Sequence, residues 1–355
     1  MKTGWSAGWI AMAAGLALLA VACGHDNPSA VAASNSPASS ARAAAPSAAN
    51  PAPVIAPEDN APPASQTGGF DGQRAYDYTA KLVSFGPRPP ASPAIRQTQA
   101  YIVSQLKNFG CNVDTDDFHA PTPVGDLAMK NIVAKIPGTG QGIILLLTHY
   151  DTLRLPGFVG ADDAGSSTGL MLEMANLLCN NKMKPANSVW IAFLDGEEDQ
   201  ANFTTVQQAQ NTWDTNDTLF GSRELAARMD LSGDLKRTRA VILADMVGQK
   251  DLQIPPEQSS TKWLADLVWK TAGRLGYSKV FVSGEVGAIT DDHDPFLQRH
   301  VPAVDIIELG GYMPGSSMPY WHTPQDTMDK ISPRSLAIVG HVILASVSEL
   351  QKKFR

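Results

Sequence analysis

The feature that most constrains the fold is the aliphatic run Ile143-Ile144-Leu145-Leu146-Leu147, which leads directly into His149-Tyr150-Asp151. A strand that is apolar on both sides must be covered on both faces, as in a mostly parallel sheet enclosed by helices. Ser188–Leu194, 240–244 and Ala303–Ile307 have the same character, and 131–136 reads as one more strand. Segments with helical spacing lie around and between them, at 75–84, 95–109, 166–178, 219–229, 263–275 and 333–350. Gly86-Pro87-Arg88-Pro89-Pro90 is a firm break after the first of these, and Gly110 stops the second. The alternation predicts an α/β protein, a three-layer α/β/α sandwich with a central mixed, mostly parallel sheet.

The length of 355 residues allows one large domain or two small ones. Residues 9–22 form an apolar run behind Lys2. It is shorter than the roughly 20 residues a spanning helix needs, so 1–22 reads as a secretory signal peptide. The run ends Leu19-Ala20-Val21-Ala22-Cys23-Gly24, which resembles the lipobox of bacterial lipoproteins, with Cys23 as the lipidated residue. That resemblance implies export to the bacterial cell envelope and a lipid anchor on its membrane surface, on the periplasmic or outer-membrane face. Residues 23–68, dominated by Ala, Pro, Ser and Asn, read as a disordered tether, leaving 69–355 as a single catalytic domain.

Composition narrows the function. A net charge of −7 with scattered Lys and Arg argues against a nucleic-acid partner. Three cysteines do not make a disulfide scaffold, and Cys111 and Cys179 read as buried free thiols. A monomer is expected.

The chemistry gathers at the strand ends. After the first buried strand come His149-Tyr150-Asp151, then Gly160-Ala161-Asp162-Asp163 opening a helix. Ser188–Leu194 runs into Asp195-Gly196-Glu197-Glu198-Asp199, and 240–244 runs into Asp245. Asp291-Asp292-His293 stands before the last strand and Trp321-His322-Thr323 after it. Ligands of open α/β sheets collect at these carboxyl ends. Converging carboxylates repel unless a cation or shared protons compensate, and carboxylates with histidine at an open position suit Zn²⁺. The pair Glu197-Glu198 can divide two tasks, one binding metal while the other faces substrate as a base. Taken singly, Asp163 reads more readily as a helix cap than as a ligand, and His149 equally as a ligand or as a buried hydrogen-bonded histidine. Asp162 and Asp199 read as solvated loop acids or caps. The convergence of all five strand ends points to a metal site.

In this order the motifs resemble the M28 metallopeptidase clan over essentially the whole body and, within it, the glutaminyl cyclases. The resemblance rests on His149-Tyr150-Asp151, Gly160-Ala161-Asp162-Asp163, Leu194-Asp195-Gly196-Glu197-Glu198, Gly221-Ser222, Asp245-Met246-Val247-Gly248 and His322-Thr323. Three features favour the cyclase side: a long insert between Glu198 and Gly221 that carries Trp213, the doubled Asp291-Asp292 before His293, and Trp321 before His322. The resemblance implies a zinc-exopeptidase-like fold with one Zn²⁺ per chain held by Asp163, Glu198 and His322. It implies Glu197 as general acid/base, Asp245 and Asp291 as acids hydrogen-bonded around it, and Trp213 and Trp321 as pocket walls. The implied reaction converts N-terminal Gln of peptides and proteins to pyroglutamate with release of ammonia.

The chain also departs from the pattern. Thr148 and Thr168 stand where secreted animal members carry a cysteine pair. The insert 199–212 and the loop 310–320 are longer, and one of Tyr312, Met318 and Tyr320 is expected to complete the pocket. The alternative is an aminopeptidase with two zinc ions, in which His149 and Asp245 bind the second, Asp163 bridges, and Glu197 activates a water. A surface lipoprotein that binds peptides without chemistry is a third possibility, against which the intact Glu197-Glu198 pair argues.

Overall fold

The computed structural model describes residues 56–181, 184–309 and 320–355. The expected signal peptide, Cys23 and most of the expected tether lie outside the described residues, as do Tyr312 and Met318. Among the described residues no helix is long and apolar enough to cross a membrane.

Residues 56–68, expected within the tether, are laid against the domain instead. Asp59 pairs with Lys250 at 3.5 Å, and its carbonyl accepts from Ser332 Oγ at 3.3 Å. Thr67 is fully buried and donates to the carbonyl of Phe70. The ring of Phe70 fills the space over Gly340, where a Cβ would stand 2.3 Å from its Cζ. One buried aromatic thus fastens a stretch whose composition gives little sign of order.

Among the described residues six strands form one sheet in the order β1-β2-β4-β3-β5-β6. They are β1 Asn112–Thr122, β2 Gly125–Ile136, β3 Ile143–His149, β4 Ser188–Leu194, β5 Thr238–Asp245 and β6 Ala303–Ile307. The pairs β3–β4, β3–β5 and β5–β6 are parallel, whereas β1–β2 and β2–β4 are antiparallel. The sheet is therefore mixed and mostly parallel, as the sequence predicts. β1 is the strand that the apolar pattern does not reveal. It is an edge strand whose Asp114 and Asp117 meet Lys135 and Lys130 of β2, with Arg228 on Asp116. Charge on an exposed edge discourages pairing with other chains and hides the strand from a search for apolar runs.

The helices are α1 Gly72–Val83, α2 Pro93–Asn108, α3 Ser167–Cys179, α4 Val206–Asn211, α5 Phe220–Ser232, α6 Lys262–Arg274, α7 Asp294–Leu297 and α8 Pro333–Lys353. Alternate residues of β3 serve opposite layers. Ile144 and Leu146 join the core that includes α1, α3 and α8, while Ile143, Leu145 and Leu147 join the core under α5. Each buried aliphatic side chain contributes roughly 1.5–3 kcal/mol, so the strand is held from both sides. Asp71, Ser92 and Ser332 cap α1, α2 and α8 by accepting from the backbone amides of Arg74, Ile95 and Ser335. Gly169 lets α3 approach α1 closely, since a Cβ there would meet Thr79 Oγ1 at 2.2 Å.

Cys111 and Cys179 are not free thiols; they form a disulfide across Cα atoms 5.2 Å apart. The turn after α2 and the end of α3 meet at one side of the sheet, a proximity between residues 68 apart in sequence that spacing alone does not reveal.

Candidate metal centre and substrate pocket

The parallel strands bring their carboxyl ends to one side, and the acids and histidines follow. His149 is the last residue of β3 and Asp245 the last of β5. Glu197 and Glu198 follow β4 beyond Gly196, whose φ of 73° makes the turn. Asp163 is presented by the tight turn Ala161–Ser166 before α3. Gly160 is required there, because a Cβ would stand 1.8 Å from the carbonyl oxygen of Asp163. His322 and Met246 adopt left-handed backbones at φ 51° and 47°, a conformation that costs of order 1–3 kcal/mol and that clusters at functional sites.

Two clusters of potential ligands share Asp163. Its Oδ2 lies 3.4 Å from His322 Nε2, which is 3.2 Å from Glu198 Oε2. Its Oδ1 lies 3.2 Å from His149 Nε2, which is 3.0 Å from Asp245 Oδ1. Asp163, Glu198 and His322 place one ligand atom each within 4.8 Å of the others, and so do His149, Asp163 and Asp245. All five are buried. A tetrahedral ion with bonds of about 2.0–2.1 Å spaces its ligands about 3.3–3.4 Å apart. The separations at His322 match that spacing, so the first cluster fits zinc.

The surroundings fix the orientation of these groups. His322 Nδ1 donates to the carbonyl of Ala209 at 3.0 Å, which turns Nε2 toward the acids. Glu198 Oε1 accepts from the amide of Leu153 at 3.0 Å. Asp245 is engaged by His149 at 3.0 Å, Asp291 Oδ1 accepts from the amide of Asp292, and the charge of Asp291 acts on Glu197. Glu197 stands 3.8 Å from His149 Nδ1. Asp162 and Asp199 are not solvated. Both are buried, Asp162 accepting from Gly248 N and Asp199 from Ala201 N and Asp214 N.

Burial, reinforced by Asp291, Glu198 and Asp292, pushes the Glu197 carboxyl well above the ordinary range, although His149 opposes it. Burial likewise raises Asp291, with Asp245 and Asp292 adding to the effect. Burial and Asp163 raise Glu198 to about 7. Burial also acts to raise Asp163, yet His149 and His322 hold it well below its usual value.

Beside the clusters opens a pocket of about 330 Å³. The rings of Trp321 and Trp213 lie against His322, with centroids 4.0 and 6.4 Å away and planes inclined by 24° and 27°. Val286, Ile289, Ile307 and Leu309 line the pocket, and Asp163, Glu197, Glu198 and Asp291 reach it. Both tryptophans line this pocket. Tyr320 instead sits in a small apolar cluster with Met246 and Ile307, its hydroxyl donating to Gln249 Oε1 at 2.6 Å.

Sequence reasoning passes over Asp305 and Gln210. Asp305 is buried in β6, and its carboxyl is raised by burial and then by Asp291 and Asp245. A lone acid inside the apolar segment Ala303–Ile307 is the signal that could have found it. Gln210 lines the pocket and donates to the carbonyl of Trp321 at 2.8 Å. Nothing in its local sequence distinguishes it.

Residues 131–347 match Peptidase family M28. A glutaminyl cyclase structure from an Acidobacteriales bacterium is 36% identical and superimposes with a TM-score of 0.71, covering 87% of this chain and all of that one. A Zn-dependent exopeptidase from Parabacteroides distasonis is 29% identical with a TM-score of 0.69, covering 78% and 97% of the two chains. A glutaminyl-peptide cyclotransferase-like protein of Bos taurus is 28% identical over 74% of this chain and 72% of its own. The chain belongs to peptidase family M28.

Proposed function

We propose that this protein is a glutaminyl-peptide cyclotransferase: it converts the N-terminal glutamine of peptides and proteins to pyroglutamate and releases ammonia. The observation that carries this reading is the tryptophan-flanked pocket that opens onto Asp163, Glu198 and His322 with Glu197 beside them. The likeness to the Acidobacteriales and Bos taurus proteins supports the same reaction.

Asp163, Glu198 and His322 would hold one zinc ion, consistent with their donor set and with the zinc-dependent exopeptidase neighbour. Bound zinc supplies Lewis acidity to the γ-carbonyl oxygen of the glutamine. The rest of the reaction falls to the chain's own side chains. The glutamine carries its own nucleophile, so Trp213 and Trp321 need only hold the folded-back conformer in which the α-amine faces the side-chain carbonyl. The α-nitrogen bonds to the carbonyl carbon, the bond from that carbon to the amide nitrogen breaks, and a five-membered lactam remains. Glu197 takes a proton from the attacking amine and returns it to the departing nitrogen, a role that suits a carboxyl held above its ordinary range. Asp245 and Asp291 contribute to this electrostatic setting with His149 and Asp305.

The cluster His149, Asp163 and Asp245 is the observation that favours a second reading, an aminopeptidase with two zinc ions. One experiment separates the two. Incubation of the purified protein with a Gln-initiated and a Leu-initiated peptide, read by mass spectrometry, should show loss of one ammonia from the first and no change in the second. Removal of the first residue from either peptide would establish the aminopeptidase.

Export and a lipid anchor at Cys23 complete the proposal, with the enzyme acting as a monomer at the membrane surface. The Cys111–Cys179 disulfide supports export, because such bonds persist in oxidising compartments.

A further inference from the structure

Arg88, from the break after α1, is fully buried and belongs to neither ligand cluster. Its guanidinium addresses backbone carbonyls: Nε donates to Tyr150 O at 2.9 Å, Nη1 to Val159 O at 2.6 Å and Nη2 to Gly160 O at 2.9 Å. Its own amide donates to Thr152 Oγ1 at 2.9 Å. Asp326 holds the next stretch of the same loop. Its Oδ1 accepts from Asp162 N at 2.9 Å, its Oδ2 from Asp163 N at 3.1 Å, and its carbonyl from Ala161 N at 3.2 Å. The backbone from Val159 to Asp163 is thus gripped by a guanidinium on its carbonyls and a carboxyl group on its amides.

A buried charge is costly unless its geometry is well satisfied, and the planar fork of arginine suits several fixed carbonyls where a lysine ammonium does not. Burial lowers the Arg88 pKa to about 10, which leaves the side chain charged at neutral pH, within electrostatic reach of Asp326, Asp151, Asp163 and Glu198. Asp326 also follows His322 closely in the chain, so it joins the loop carrying one cluster residue to the loop carrying another.

We infer that Arg88 and Asp326 are positioning residues of the metal centre, clamping the Val159–Asp163 backbone so that the Asp163 carboxylate faces Glu198 and His322 before an ion arrives. This inference rests on the proposal that those three residues hold zinc. Partners behind metal ligands typically change affinity 10- to 100-fold when replaced.

The test compares Asp326→Asn and Arg88→Lys with the wild-type protein, each loaded with zinc. Zinc per chain, the rate of zinc release to a chelator, and the thermal midpoint of the metal-free protein are measured. Asp326→Asn keeps the shape but turns an NH₂ group toward an amide N–H, and Arg88→Lys keeps the charge but loses the fork. Both should release zinc about 10-fold faster or more. Release at the wild-type rate from either folded variant would overturn the inference, even if the thermal midpoint fell, because the pair would then brace the fold alone. Should Asp326→Asn fail to fold, Arg88→Lys decides by the same measure. Wild-type protein that takes up no zinc would remove the proposed ion itself, and this inference with it.

Discussion

The carbonyl oxygen of Ala209 accepts a hydrogen bond from Nδ1 of His322 across 3.0 Å. Ala209 lies on α4, inside the long insert between Glu198 and Gly221. The neighbouring residue Gln210 holds the carbonyl of Trp321. The insert therefore acts on the site it borders. It selects which nitrogen of His322 faces Asp163 and Glu198, and it fastens the backbone that carries the stacked Trp321.

Replacement of Glu197 by Gln should leave zinc in place and lower kcat by about 10²–10⁴-fold, the usual contribution of a positioned acid/base. Turnover against zinc content, measured on the same sample, decides the matter. Wild-type turnover with full zinc would exclude Glu197 as the proton carrier. His322→Ala should lose the metal as well as the activity.

Trp321→Ala should raise KM for a Gln-initiated peptide roughly ten-fold while zinc content holds, since each Å² of apolar surface the indole covers contributes about 25 cal/mol. Gln210→Ala should move KM in the same direction by less. An unchanged KM in Trp321→Ala would place substrate elsewhere than the tryptophan-lined pocket.

Reduction of the Cys111–Cys179 disulfide, or Cys111→Ser, should lower stability by about 2–4 kcal/mol with activity retained at low temperature. Thermal unfolding with and without reductant reads this directly. Identical midpoints would show that the bond contributes nothing to stability in solution.

Glu308 is buried, accepts from the amide of Gln253 at 2.7 Å, and has its carboxyl raised by burial from 4.5 to about 7. Between those values the unfolded chain has released a proton that the folded chain still holds. Stability from this group therefore falls as pH rises from about 4.5 to 7 and is level above. Glu308→Gln should remove that slope and be more stable relative to wild type at pH 8 than at pH 5. Urea midpoints at the two pH values provide the check, and a constant difference would contradict it.

The apolar strands were legible because burial on both faces writes itself as uninterrupted aliphatic sequence, and β4 and β6 begin and end as read. β1 was not, because an exposed edge is selected for charge. The acids at the strand ends were legible from position alone. What they bond to was not: that Asp245 turns to His149 depends on side-chain directions that sequence spacing does not carry. Arg88 and Asp326 illustrate the same limit: Arg88 reads only as part of a proline-rich break, and nothing in the local sequence singles out Asp326.

The two oxygens of Asp163 face different histidines, one toward each cluster. A centre built this way need not recruit a new side chain to pass between one ion and two. Hydrolysis and cyclisation become neighbours in sequence space, separated by what surrounds the shared carboxylate, such as the insert and its tryptophan, more than by the ligands. Inspection of ligand residues alone does not then separate the two reactions, and the walls of the pocket are the better guide.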